Sequence, residues 1–491
     1  MTRPATETAW RGDDYPSWLS PMVVKELRQG VQSGAFAWTF IGLQAAMFLT
    51  FAITVASFEA SNRSSRSTFE VFFWLMVAAA VLIIIPLRGL GAISGERAGS
   101  KLDLVQLTRL SATKIVFGKW LAIVAQAALI VSAILPYVVL RYFFGDVNVI
   151  SDLAVIGWLF AGSMIVAAAA IATSTRPLWQ RIAVFVLALL SLRAIIDPFG
   201  PSRLFLASWA GLLVTLAFYT VALLQFAAST IAPIAENHAL RKRSLGLAIG
   251  LTWCVFAGWT TPQMAISAMI STLPLVIFSA IEAVLEQPVH LRSQAAAFSR
   301  FGAPGRLAAG LLTPGWATGL VYVLVMTAIC LPAMYWLGLV QAGTLDRDVV
   351  RALAYGILIS AAVLFPLPVI FRIRKARLRF GIYCLVQLIC VLAYVFTYAS
   401  RPSGTSWDTW YIGWMWLLPL PLASLGSLTA SGGSEEISFA CCVAGVIVIA
   451  VVCLVMLLPW WREMRELSRL LDAARVGHLQ QRSVIEGSGT A

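Results

Sequence analysis

Long apolar stretches separated by short polar ones run through the chain from Phe36 to Pro459. Each stretch is continuously apolar and does not alternate from one residue to the next. Each therefore predicts a helix, not a strand of a membrane barrel. A helix needs about 20 apolar residues to cross the hydrocarbon layer at roughly 1.5 Å per residue. Stretches of that kind fall near 35–57, 69–87, 118–140, 153–172, 182–196, 204–232, 244–261, 264–286, 316–338, 350–371, 380–399 and 438–459. A further stretch, 410–428, has Pro419 and Pro421 near its middle and aromatic residues at its start. Prolines interrupt the helical hydrogen-bond ladder and aromatic rings favour the membrane boundary, so this stretch predicts a re-entrant hairpin.

A different pattern precedes the first span. In SPMVVKELRQGVQSG (20–34), Val23, Val24, Leu27 and Val31 share one stripe, with Lys25, Arg28, Gln29 and Gln32 opposite. Ser20 and Pro21 suit the start of a helix. The segment predicts an amphipathic helix lying in the membrane surface, with a generic anchor as its plainest role. The first 34 residues contain no early apolar core, so the first span is expected to act as its own insertion signal.

Composition fits these elements. The chain is 59% hydrophobic and 12% charged, against about 45–50% and about 25% in soluble domains. The expected fold is an all-α polytopic membrane protein of about 12 transmembrane helices, located in a cell membrane (inner or plasma).

Charge then orients it. With the N-terminus in the cytoplasm and the chain alternating, the inner segments before the tail collect twenty-three Lys and Arg residues and the outer segments seven. The largest inner cluster is Arg372, Arg374, Lys375, Arg377 and Arg379. Positive residues concentrate on the cytoplasmic side, so this is the favoured orientation. The basic tail (Arg462, Arg465, Arg469, Arg475, Arg482) also belongs inside, and the acidic SGGSEE segment (431–436) belongs outside. Both conditions hold only if 410–428 dips in and returns. The result is two six-helix halves: 35–243 and 244–459, after a cytoplasmic N-terminus (1–34) and before a basic cytoplasmic tail (460–491). In each half the longest inner loop follows the second span, at 88–117 and at 287–315. The net charge of +13 reflects the same bias and gives no case for nucleic-acid binding. The arginine-rich tail predicts a helix beside anionic lipid.

The sequence predicts no catalytic residue, no cofactor and no metal. His238, His290 and His478 are scattered, and neither a zinc-protease helix nor a nucleophile elbow is present. The seven cysteines lie in or at the ends of spans and read as small packing residues. Glu70, Arg193 with Asp197, Glu282 and Glu286 lie near span ends and read as structural anchors. Gly95–Lys101 is one residue short of a phosphate loop and lacks its ending. The first inner loop is partly apolar and strongly charged, which suits a docking surface as well as a topology signal. Its charged residues are Glu96, Arg97, Lys101, Asp103, Arg109, Lys114 and Lys119.

These segments together resemble the permease subunits of ABC exporters of the ABC-2 type. Pro21, Lys25, Glu26, Leu27 and Arg28 match an element before the first span. Glu96, Arg97, Leu102, Asp103, Leu104, Leu110, Ser111, Gly118 and Lys119 match a second element after the second span. The resemblance covers roughly residues 19–160. It implies that a separate cytoplasmic ABC ATPase subunit closes on ATP and pushes through 88–117, with 287–315 as the corresponding loop and the helix at 20–34 helping to grip. It further implies partnership with membrane lipid. The substrate path would be completed by a homodimer, a second permease or this chain's own two halves. A membrane scaffold or sensor and an ion-coupled secondary transporter are the competing readings.

Overall fold

A computed structural model describes residues 21–58, 63–94, 111–143, 149–175, 206–232, 236–259, 262–288, 292–342, 347–371, 382–390 and 435–488, with scattered positions between 177 and 192 and residues 379 and 392. Among these residues there is no strand, and nine helices are long and apolar enough to cross a membrane. About half of each of the predicted spans 182–196 and 380–399 lies outside the described residues, and the 410–428 hairpin lies wholly outside them.

The helices, in chain order, are α1 (Pro21–Val31), α2 (Gly34–Phe58), α3 (Arg63–Ala78), α4 (Ala112–Phe143), α5 (Val149–Thr173) and α6 (Leu206–Ile231). They continue with α7 (His238–Trp259), α8 (Pro262–Leu285), α9 (Arg292–Ser299), α10 (Gly302–Leu312), α11 (Trp316–Ala342), α12 (Arg347–Leu364), α13 (Leu367–Phe371) and α14 (Glu435–Ser488). Helix α3 does not stop at Ala78. A wider turn (Ala79–Ile84) passes Pro86, and a tight turn (Arg88–Gly91) then closes the element. Proline cannot donate to the preceding turn, and a widened turn is a common way to absorb that loss. Helix α7 covers the predicted seventh span, but its first turns carry Arg241, Lys242 and Arg243, which keeps it outside the nine.

The described chain forms two compact units. The first contains α1–α5 and the end of α6 from Tyr219; the second contains α6 up to Phe218 and everything from α7 onward. The core of the first unit follows helical periodicity. Val116, Ile123, Ile130, Ile134 and Val138 form one buried stripe of α4 against Met47, Val77 and Ile171. Helix α5 is buried over Ile165–Thr173, a run of small residues that lets the end of α3 approach closely. A Cβ on Gly89 would come within 3.0 Å of the Ala170 Cβ.

In the second unit α8, α11, α12 and α14 pack on one another, held by hydrogen bonds that cross between apolar helices. Trp253 Nε1 donates to Thr272 Oγ1 at 2.7 Å, and Trp460 Nε1 to the Ala317 carbonyl at 3.2 Å. Ser279 and Tyr322 hydroxyls pair at 2.8 Å. A Cβ on Gly319 would collide with the backbone oxygen of Ala283, so α8 and α11 can meet there only at glycine. Outward-facing positions are apolar in both units, including Phe48, Leu49, Ile150, Leu454 and Leu458, as lipid contact requires.

The segment 287–315, expected as a loop, contains α9 and α10, joined through Gly302 in the left-handed conformation (φ 63°). The predicted last span and tail are one 54-residue helix, α14, about 80 Å long. Beyond Pro459 this helix presents Leu467 and Leu471 to Ala295 and Ala309, with Phe298, Met464, Leu470 and Ala474 around them. An Arg306–Asp472 ion pair at 2.6 Å closes the edge.

Candidate functional site: the α1–α4 clasp

At the end from which α1 departs, the first unit buries Lys119 and places Glu26 and Arg88 beside it. Helix α1 lays Val23 inward and packs along the first turns of α4. One turn after Val23, Glu26 Oε1 accepts from Lys119 Nζ at 3.0 Å, and the two side chains are 18% and 5% exposed. A lysine this deeply withdrawn from water is costly unless a carboxylate meets it, so the pair fixes α1 against α4.

Arg88, at the end of α3, makes the second half of the clasp. One nitrogen of its guanidinium donates to Gln126 Oε1, and the other to the Gly30 carbonyl (3.1 Å) and to Ser33 Oγ. Ser33 Oγ in turn donates to the Gly30 carbonyl at 2.7 Å and accepts from Phe36 N at 3.3 Å. Ser33 is thus the N-cap of α2, its oxygen satisfying one of the amides a helix start leaves open. The Arg88 guanidinium also lies 5.9 Å from the Phe36 ring centroid. A side chain at Gly30 would meet the Gln126 carboxamide and turn it away from Arg88. Arg181 reinforces the same end, donating to the Leu90 carbonyl at 3.0 Å and to Ser94 Oγ at 3.1 Å. A cleft of about 240 Å³ remains between the elements, lined by Glu26, Gln29, Arg88, Ala92, Lys119 and Gln126 among others.

Of the sequence-predicted residues, Glu26 and Lys119 are brought together. Lys25 and Arg28 lie exposed on α1 with Leu27 half-buried, and Lys114 lies exposed in the first turn of α4. Glu96, Arg97, Lys101, Asp103 and Arg109 lie outside the described residues, as does Ser20. Sequence reasoning missed Gly30, Ser33 and Gln126, and counted Arg88 and Arg181 only as topology charges. A glutamine inside an apolar span was the available signal, since a buried amide demands a partner.

The second unit has its own buried guanidinium. Arg243 donates to the carbonyls of Leu311 (2.8 Å) and Gly315 (3.0 Å), to Thr318 Oγ1 (2.9 Å) and to Glu286 Oε2 (2.8 Å). Its ring contact is Tyr322, at 5.9 Å. Lys242 pairs with Glu282 beside it, and Arg241 with Glu236 at 2.9 Å. Glu282 and Glu286, read as anchors, are therefore the counter-ions of Lys242 and Arg243. Among the described residues no group of His, Cys, Asp and Glu is arranged to hold a metal, and all seven cysteines are free thiols.

No family model, no curated protein and no solved structure matches this chain.

Proposed function

We propose that this multi-pass membrane protein is the permease of an ATP-driven exporter of the ABC-2 type, with ATP hydrolysed by a separate cytoplasmic subunit. In this reading twelve helices cross the membrane, 410–428 forms an outer re-entrant hairpin, and both termini lie in the cytoplasm.

One observation carries the reading. The two sequence elements on which the resemblance rests each contribute one partner to the buried Glu26–Lys119 pair, whose members stand 93 residues apart in the chain. A generic surface anchor has no need of a buried ion pair with the third span. The arrangement also suits a mechanical role. The inner loop expected over 88–117 runs into the first turns of α4, and α4 is clamped to α1 by Lys119 and to the end of α3 through Gln126 and Arg88. A push delivered to the loop by an ATPase would move these elements together, without being absorbed at a flexible joint. Arg181 holds Leu90 and Ser94 where the chain leaves α3, so the other end of the loop is anchored as well.

The test is co-purification from native membranes with an ATPase bearing phosphate-loop and signature motifs. Glu26→Lys and Lys119→Glu are each expected to abolish ATP-dependent export, and the double exchange to restore much of it. Association that survives charge reversal at Glu96, Arg97, Lys101 and Arg109 would sink the coupling role of this loop.

A further inference from the structure

The cleft inside the clasp has a composition that the clasp alone does not explain. Two cations, Arg88 and Lys119, and one carboxylate, Glu26, line it with the amides of Gln29 and Gln126. Lys25 lies one turn before Gln29 on the same face of α1, and Arg28 and Lys114 add positive charge on the two helices that bound the cleft. Five cations thus stand on these elements against one acid. The volume, about 240 Å³, would admit a phosphate group with a short polar substituent.

The surroundings specify where such a group comes from. The cleft sits between an amphipathic helix and the polar ends of apolar helices, and with α1 lying in the membrane surface it would face the layer of lipid phosphates. Next to Arg88, Leu87, Ile84 and Ile83 turn apolar side chains outward, which gives acyl chains a surface to lie along. Basic recesses between spanning helices at a membrane face are suited to anionic headgroups.

We propose that the cleft between α1, the end of α3 and α4 binds a phosphate ester, supplied by the headgroup of an anionic phospholipid. The bound phosphate accepts from Lys119 Nζ and the glutamine amides, so it ties α1 to α4 alongside Glu26. The inference requires only that this end of the unit lies at a membrane surface, and it stands whether or not the protein exports anything.

The experiment follows thermal unfolding of the detergent-purified full chain, titrated with short-chain phosphatidylglycerol, with phosphatidylcholine of equal chain length, or with inorganic phosphate. Phosphatidylglycerol is expected to raise the unfolding temperature saturably, and phosphatidylcholine is not. Ala92→Leu fills the cleft without touching an ion pair and is expected to remove the effect. Lys25→Gln with Lys114→Gln, both at exposed positions, should weaken the half-maximal concentration roughly tenfold. Protection by inorganic phosphate as well supports the site and assigns its recognition to the phosphate alone. Equal protection by the two lipids, or undiminished protection of Ala92→Leu, overturns the proposal.

Discussion

Two arginines do comparable work in separate units. Arg88 ties the end of α3 to the start of α2, and Arg243 ties the start of α7 to the segments flanking α10 and the end of α8. Both use the planar fork of the guanidinium to hold backbone carbonyls, which an ammonium on a flexible stem cannot do with the same geometry. Arg243 is 2% exposed at its side chain, so truncation strands Glu286 and the Leu311 and Gly315 carbonyls together. Arg243→Ala is expected to cost about 3–5 kcal/mol, and Arg243→Met combined with Glu286→Leu to recover most of it. Equilibrium unfolding in mixed micelles measures both, and equal losses in the two variants would contradict this account. Neither arginine stands out in the sequence, where each is one more positive charge at a span end. Glu26 and Lys119 were legible as motif residues. Their contact was not, because it depends on the register in which α1 meets α4.

At the scale of elements, hydrophobic run length was a good guide and loop length a poor one. The surface helix expected over 20–34 is Pro21–Val31, and the third span, expected from 118, begins at Ala112 because the Ala-Thr-Lys-Ile-Val turn is already helical. Segment 287–315 looked like a loop because Gly302, Pro304, Gly305 and Gly310 dilute its apolar pattern. Yet Gly302 makes the turn, Pro304 stands in the first turn of α10, where its missing amide costs nothing, and Gly305 and Gly310 are buried. The tail, expected to be helical, is helical, and the sequence reading left out only its packing: Met464, Leu467, Leu471 and Ala474, set among its arginines, recur at three- and four-residue intervals and face α9 and α10. Leu467→Asp with Leu471→Asp is expected to free α9 and α10 from α14, so limited proteolysis within 287–315 accelerates by about an order of magnitude or more. Unchanged cleavage would show that this packing contributes nothing to holding the segment.

Across the whole molecule, apolar side chains face outward along the helices of both units and buried charges collect at helix ends. That pattern identifies the solvent on the outside as lipid, but carries no sign that distinguishes one membrane face from the other. Only the distribution of Lys and Arg does that, and the topology proposed from it would put 431–436 on the outer face with 410–428 as a hairpin. Ser431→Cys and Ser434→Cys are expected to react with a membrane-impermeant maleimide in intact cells, above the level of the parent protein. Reaction only after permeabilisation would put this segment inside and replace the hairpin with a full crossing.

The Glu26–Lys119 pair also constrains the order in which the protein is made. Glu26 leaves the ribosome 93 residues ahead of its counter-ion, with two membrane helices still to be inserted in between. Until α4 is threaded into the bilayer, α1 has only the lipid surface and the Arg88 contact at Gly30 to rest on, and its carboxylate must stay hydrated. Docking of the first helix is therefore a late step of biogenesis, and it reports that the third helix has arrived in the correct orientation.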